Sequence, residues 1–312
     1  MNMKKAKKSI LSRLILLFSA AAFFFMSAAP GECLSTSVKD LFKKYQSQNA
    51  GDIAVESAKA PAPAAAKNPN GIRIATYNLQ GVSSFFKTAD LAKVIKTIDA
   101  DFVMLTESVE GWILYPNQPK VIANKGGYPY ILFKGNIRIW TYFEKMGNAI
   151  LSRARLYDQK LKDLPKIRKD SELRGIAVAK TRVNGSEIVL ISAHLSRTIH
   201  KDERIKQIQF IADLIRSDYA KMPVILAGDL NTSPAETDVL KPITDIMDDG
   251  FMYLAGVNKL SAASGATIPA DKPNVKFDYI FLSKGKFNIK SFQVNPSTVS
   301  DHRPFVVDAE LK

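Results

Sequence analysis

The chain contains three histidines, His194, His200 and His302. An imidazole of ordinary pKa about 6.5 exchanges protons near neutrality, so any acid–base step that needs one must use these positions. His302 lies in Ser300-Asp301-His302-Arg303-Pro304, beside a carboxylate. Asp278, in Phe277-Asp278-Tyr279-Ile280, heads an apolar run and could orient His302 by accepting its second ring proton. The plain alternatives are a loop histidine packed on Pro304 and an edge carboxylate. His194 closes Ser192-Ala193-His194-Leu195, where a satisfied half-buried histidine is the competing reading. His200 reads as a helix-start residue.

Carboxylates and amides fall at comparable places. Gly228-Asp229-Leu230-Asn231 follows the apolar run 224–227. In an extended chain, residues two apart point the same way, so Asp229 and Asn231 would face one site; a turn or cap is the bland alternative. Glu107 follows the buried stretch 102–105. A carboxylate there is costly unless paired, which points to a hard divalent cation or to a salt bridge with a lysine. Arg174 opens another strand, where its guanidinium could hold a phosphate or simply carry surface charge. Asn78 ends a further strand. Strand ends on one rim of a sheet converge, so these side chains could share a cleft.

The elements that must position them are legible as patterns. Residues 72–78 alternate as a half-buried strand, and 88–98 have helical apolar spacing. Residues 175–183, Asn184-Gly185 and 186–193 predict a hairpin. Residues 202–219 predict an amphipathic helix with Ile205, Ile208, Ile211 and Ile215 on one face. Residues 224–227, 278–282 and 305–309 predict further strands. Many strands with few helices predict two sheets face to face with helices outside.

The 312 residues are 46% hydrophobic and 24% charged, with mean hydropathy −0.07, which excludes wholesale disorder and a multi-span membrane protein. One cysteine, Cys33, excludes an internal disulfide framework and a Cys-rich zinc site. Residues 1–29 read as an export signal or N-terminal anchor: Lys4, Lys5, Lys7 and Lys8 precede an apolar run over 14–26. Residues 30–70 read as an Ala/Pro-rich linker, and 71–312 as one domain. The formal charge is +14; residues 71–312 hold 34 Lys and Arg against 26 Asp and Glu. That surplus favours a polyanion, nucleic acid or an anionic membrane surface. No obligate protein partner is implied.

Taken in order, Ile74-Ala75-Thr76-Tyr77-Asn78, Thr106-Glu107, Gly147-Asn148-Ala149-Ile150-Leu151-Ser152, Ser192-Ala193-His194-Leu195, Gly228-Asp229-Leu230-Asn231, Phe277-Asp278-Tyr279-Ile280 and Ser300-Asp301-His302 resemble the endonuclease/exonuclease/phosphatase superfamily. This superfamily includes DNase I, abasic-site endonucleases, neutral sphingomyelinases and inositol polyphosphate 5-phosphatases. The resemblance implies a four-layer α/β sandwich of two mixed sheets and an exported Mg²⁺-dependent phosphodiesterase, with Mn²⁺ a possible substitute. It implies metal-holding by Asn78, Glu107 and Asp301, and catalytic roles for His194, Asp229, Asn231, Asp278 and His302. Arg174 and Asn231 would contact phosphate. A nuclease is the leading expectation. A lipid-headgroup phosphodiesterase is the alternative, motivated by the aromatic runs 112–115 and 137–143, and a non-catalytic binding module is a third. His194 occupies a strand where abasic-site endonucleases usually carry a tyrosine, so the match leans toward DNase I and sphingomyelinases.

Overall fold

The computed structural model describes residues 54–56, 71–111, 117–139, 144–258 and 261–312. The expected export signal lies outside the described residues, as does the expected linker apart from Ala54–Glu56. Also outside are Trp112 to Tyr115 and Trp140 to Phe143, most of the aromatic sequence behind the lipid alternative.

Among the described residues the strands are β1 (Ala54–Glu56), β2 (Gly71–Asn78), β3 (Phe102–Glu110), β4 (Tyr130–Ile139), β5 (Glu144–Ser152), β6 (Tyr157–Asp163), β7 (Gly175–Val183), β8 (Ser186–His194), β9 (Val224–Asp229), β10 (Met247–Asp249), β11 (Asp278–Ser283), β12 (Phe287–Val294) and β13 (Phe305–Leu311). The helices are α1 (Thr88–Ile98), α2 (Gln118–Gly126), α3 (Lys201–Asp218), α4 (Thr237–Thr244) and α5 (Gly250–Asn258). The strands form two mixed sheets, ordered β1-β4-β5-β3-β2-β13-β12 and β10-β11-β9-β8-β7-β6. This is the four-layer sandwich the sequence predicts. Residues 54–56, within the stretch expected to be a linker, pair with β4 at one edge.

Strand alternation builds the layers. Ile72 and Ile74 of β2, Phe102 and Met104 of β3, Ile188 and Leu190 of β8, and Ile225 and Ala227 of β9 meet between the sheets. The opposite pleats face the helices: Ala75 and Tyr77 pack with Leu91 and Ile95 of α1, and Val189 and Ile191 pack with Ile208 and Ile211 of α3. The hairpin turn uses Asn184 (φ 49°) and Gly185 (φ 85°), the left-handed pair that a two-residue turn demands.

Each sheet contains one parallel pair, β2 with β3 and β8 with β9. Their C-terminal ends lie on one rim. β11 and β13 run antiparallel to β9 and β2, so their N-terminal ends reach that same rim. Register does the final placing, because Asp229 pairs with His194 on one side and with Asp278 on the other. The inner pleat turns polar as it approaches the rim, where Thr76, Thr106 and Ser192 are buried.

Gly228, one residue before Asp229, has φ 150°, and a Cβ there would sit 1.8 Å from the Ala193 carbonyl oxygen. Neighbouring strands can close at this point only without a side chain. Gly228→Ala is expected to cost about 3 kcal/mol or more, measured as a shift in the urea unfolding midpoint.

Candidate active site

Asp229 is buried at the last position of β9, and its Oδ2 is the meeting point of the site. It accepts a hydrogen bond from Asn78 Nδ2 at 2.9 Å and lies 3.5 Å from His194 Nε2 and 3.8 Å from His302 Nε2. Its Oδ1 accepts from the Asn231 backbone N–H at 2.8 Å. Burial pushes the Asp229 carboxyl up, to about 6, with the opposing pull of His302 only partly offsetting it. A carboxylate so placed is a ready proton acceptor near neutrality.

His302 is buried too, and its Nδ1 shares a 2.8 Å hydrogen bond with Asp278 Oδ2. Burial alone would depress this imidazole. The Asp278 carboxylate outweighs burial, helped by Asp229 and Asp301, and holds His302 up to about 10. Asp278 is itself fixed, since Thr267 Oγ1 donates to the same oxygen at 2.6 Å. The loop before β13 is tied to the end of β2 by Ser300 Oγ, which donates to the Asn78 carbonyl at 2.7 Å.

His194 behaves oppositely. Burial, reinforced by the Arg174 cation, drives its pKa well below the ordinary value, so it is neutral. Arg174 Nη1 lies 3.0 Å from His194 Nδ1. Asn231 Nδ2 lies 3.0 Å from His194 Nε2 and donates to the Leu195 carbonyl at 3.2 Å. Guanidinium and amide NH₂ groups only donate, so each ring nitrogen faces a donor while the neutral ring accepts at one.

Glu107 does not end its strand as the apolar run implies; β3 continues to Glu110. The register between β3 and β5 slips between Leu105 and Ser108, and Glu107 has φ 50°. A β-bulge thus re-aims one carboxylate into the cleft while pairing resumes beyond it. Asn78 Nδ2 reaches Glu107 Oε1 at 3.3 Å, linking it to Asp229 through one amide. Burial raises the Glu107 carboxyl, and Asp301 raises it further, against Asn78 and Arg174. Among the described residues no lysine or arginine forms an ion pair with Glu107, so the salt-bridge alternative gives way.

The fold family implies a divalent cation, and the donor set tests whether one fits. Glu107 is a half-buried carboxylate with no lysine or arginine ion pair among the described residues, within electrostatic range of exposed Asp301, while Asn78 turns Nδ2 toward it and Oδ1 toward the Gln80 backbone N–H. Two hard carboxylates fit Mg²⁺ or Mn²⁺. A second group, Asp229, Asp278 and His302, offers ligand atoms within 4.8 Å of one another. There the acceptor and donor already satisfy each other, which suits proton handling.

The extended-chain argument for Asp229 and Asn231 reaches the right neighbourhood by the wrong geometry. Asn231 has φ 49° and sits in a turn closed on the Asp229 side chain. His200 lies at the start of α3, as its context predicts. Two supports were invisible beforehand. Thr267 belongs to no pattern. Lys276, fully buried, donates to the Asp278 carbonyl at 2.6 Å, pairs with Asp249 at 3.3 Å, and sits 4.1 Å from the Tyr279 and Phe305 ring centres. Only its position two residues before Asp278 could have drawn notice.

The endonuclease/exonuclease/phosphatase family model matches residues 75–302, a span that contains every residue of this cleft. The chain belongs to that family. Its members are metal-dependent phosphoesterases, which makes this chain an enzyme of that class and displaces the non-catalytic alternative. It is similar to tyrosyl-DNA phosphodiesterase 2 of Gallus gallus, at 32% identity over 83 residues, covering 25% of this chain and 22% of that protein. The match therefore spans under a quarter of that relative's length. Among solved structures, an endonuclease/exonuclease/phosphatase from Beutenbergia cavernae aligns at TM-score 0.63 and 19% identity, covering 78% of this chain and 72% of its own. A mannosyl-6-phosphatase from Bacteroides thetaiotaomicron aligns at TM-score 0.60 and 17% identity, covering 76% and 99%. Both share the fold.

The His302–Asp278 pair makes a signed prediction. An imidazole raised in the folded state stabilises fully below its unfolded pKa, about 6.5. That stabilisation is lost as pH rises through about 10. Asp278→Asn should move the His302 NMR titration downward, and its stability deficit relative to wild type should shrink from pH 7 to 10. An unmoved titration would contradict the pairing.

Proposed function

We propose that the protein is an exported phosphodiesterase that hydrolyses nucleic-acid phosphodiesters by attack of water, with Asp229 as the proton acceptor. The observation that carries this reading is the contact set of one buried carboxylate oxygen, with Asn78 donating to it and two imidazoles within 3.8 Å. Asp229 takes the proton of the attacking water, while the Asn231 turn holds the carboxylate in place. His302, kept cationic by Asp278, faces the negative charge that develops on phosphorus-bound oxygen. His194, kept neutral by burial, contacts a non-bridging or leaving oxygen, and Arg174 beside it adds a cation.

Glu107, Asn78 and Asp301 would hold Mg²⁺, which when bound supplies Lewis-acid polarisation of a phosphoryl oxygen. Nucleic acid is supported as substrate by the basic surplus over 71–312 and by the local match to tyrosyl-DNA phosphodiesterase 2. Export is supported by the basic residues and apolar run within 1–29.

Asp229→Asn should lower hydrolysis of duplex DNA and of bis-p-nitrophenyl phosphate by about 10³-fold or more, with unchanged circular dichroism. Chelation should abolish activity and Mg²⁺ restore it. If neither substrate is cleaved at any ionic strength with Mg²⁺ present, the reading fails. For export, fusing residues 1–70 to a reporter active only outside the cytoplasm should give activity, and loss of the four N-terminal lysines should reduce it.

A further inference from the structure

A cavity of about 200 Å³ is lined among others by Asp170, Glu172, Arg174, Arg197, Ile199 and His200. Its walls are two connections, one from β6 to β7 and one from β8 to α3. The first turn of α3 braces both. Glu203, buried, accepts from the Ile167 and Arg168 backbone N–H groups at 2.9 and 3.0 Å, and from Ser171 and Ser196 hydroxyls at 3.0 and 2.6 Å. Arg204, equally buried, donates to the Arg197 carbonyl at 2.8 Å and pairs with Glu236. Glu172 and Arg197 therefore project from fixed backbone.

Inside the cavity one carboxylate holds two guanidiniums. Glu172 Oε2 accepts from Arg174 Nη2 and Glu172 Oε1 accepts from Arg197 Nη2, both at 2.7 Å. Arg174 is only 5% exposed, yet among the described residues its buried Nε has no hydrogen-bond partner. A buried donor left unmade is costly, which points to an acceptor supplied by a ligand. Two guanidinium forks closing on one oxyanion is the arrangement by which proteins grip phosphate. Phosphate offers more charge and more acceptor oxygens than the single carboxylate now there. Asp170 at the mouth is exposed and within range of Arg168, so solvent and that cation screen it.

Arg174 belongs to both places, since its Nη1 lies against His194 and His194 faces Asp229. Arg174 thus links the cavity to the reacting centre across a single imidazole. We propose that it receives a second phosphate of a polynucleotide substrate, next to the one cleaved, and that Glu172 holds the clamp until that phosphate displaces it. This rests on the nucleic-acid reading above and narrows it to substrates longer than an isolated diester. Ile199, 75% exposed at the mouth, offers an apolar surface to the attached sugar or base.

The test measures equilibrium binding of thymidine 3′,5′-bisphosphate against thymidine 5′-monophosphate by the full chain. In parallel, kcat/KM is measured on d(TpT) with no terminal phosphate and with one at either end. The bisphosphate should bind about tenfold more tightly, the scale of one charge-assisted hydrogen bond. Arg197→Ala should erase most of that margin, and Glu172→Gln should widen it. Equal affinities in the wild type, or a margin that survives Arg197→Ala, would overturn the proposal. Weaker bisphosphate binding by Glu172→Gln would overturn the displacement role. A normal margin without cleavage of d(TpT) sinks the phosphodiesterase reading alone, whereas cleavage without any margin sinks only the second-phosphate site.

Discussion

The structure turns on keeping one carboxylate, Asp229, out of water without a full counter-charge bonded to it. A lone buried carboxylate is expensive, and the surroundings meet that cost with an amide donor, a backbone N–H and two nearby imidazoles rather than with a direct lysine or arginine pair. The outcome is a carboxyl raised to about 6. Its neighbours divide by environment: His302 is charged because Asp278 is bonded to it, and His194 is neutral because burial, reinforced by Arg174, disfavours its charge. Two chemically identical side chains thereby become a cation and a neutral ring facing the same oxygen.

The sandwich makes this arrangement inexpensive to build. Each sheet contributes one parallel pair, and the inter-sheet pleat is apolar for most of its length before giving way to Thr76, Thr106, Ser192 and then the site. The same alternation that buries Ile225 and Ala227 delivers Asp229 into the cleft. Glu107 is the exception, and a bulge supplies what regular pleating would not. Besides the His302–Asp278 pair inside the centre, two buried ion pairs support it from outside. Lys276 with Asp249 supports the Asp278 backbone, and Arg204 with Glu236 supports the turn that carries Arg197. Such pairs add little to stability relative to apolar packing, and their clearest use here is to set backbone position.

Much of the fold was legible in the chain. The hairpin at Asn184-Gly185, the helix over 88–98 and the alternation over 72–78 are local features, determined by backbone permissiveness and by which faces must leave water. Site residue types were legible for the same reason: a carboxylate, amide or imidazole terminating an apolar strand must find polar partners there. Lys276 and Thr267 were not, because nothing in their own neighbourhoods marks them. They matter only through partners distant along the chain, Asp249 and Asp278.

The amino-acid order alone determined the layered architecture, the family and the set of polar side chains at the rim, since periodicity and motif succession are properties of the chain itself. Tertiary structure decided the rest. Whether Glu107 faces a lysine or an amide, that His194 stays neutral, and that Glu172 joins Arg174 to Arg197 all depend on dielectric and on contacts across the sandwich. Those quantities arise only when segments remote in sequence share one desolvated space, because charge and proton affinity are set by neighbours in three dimensions.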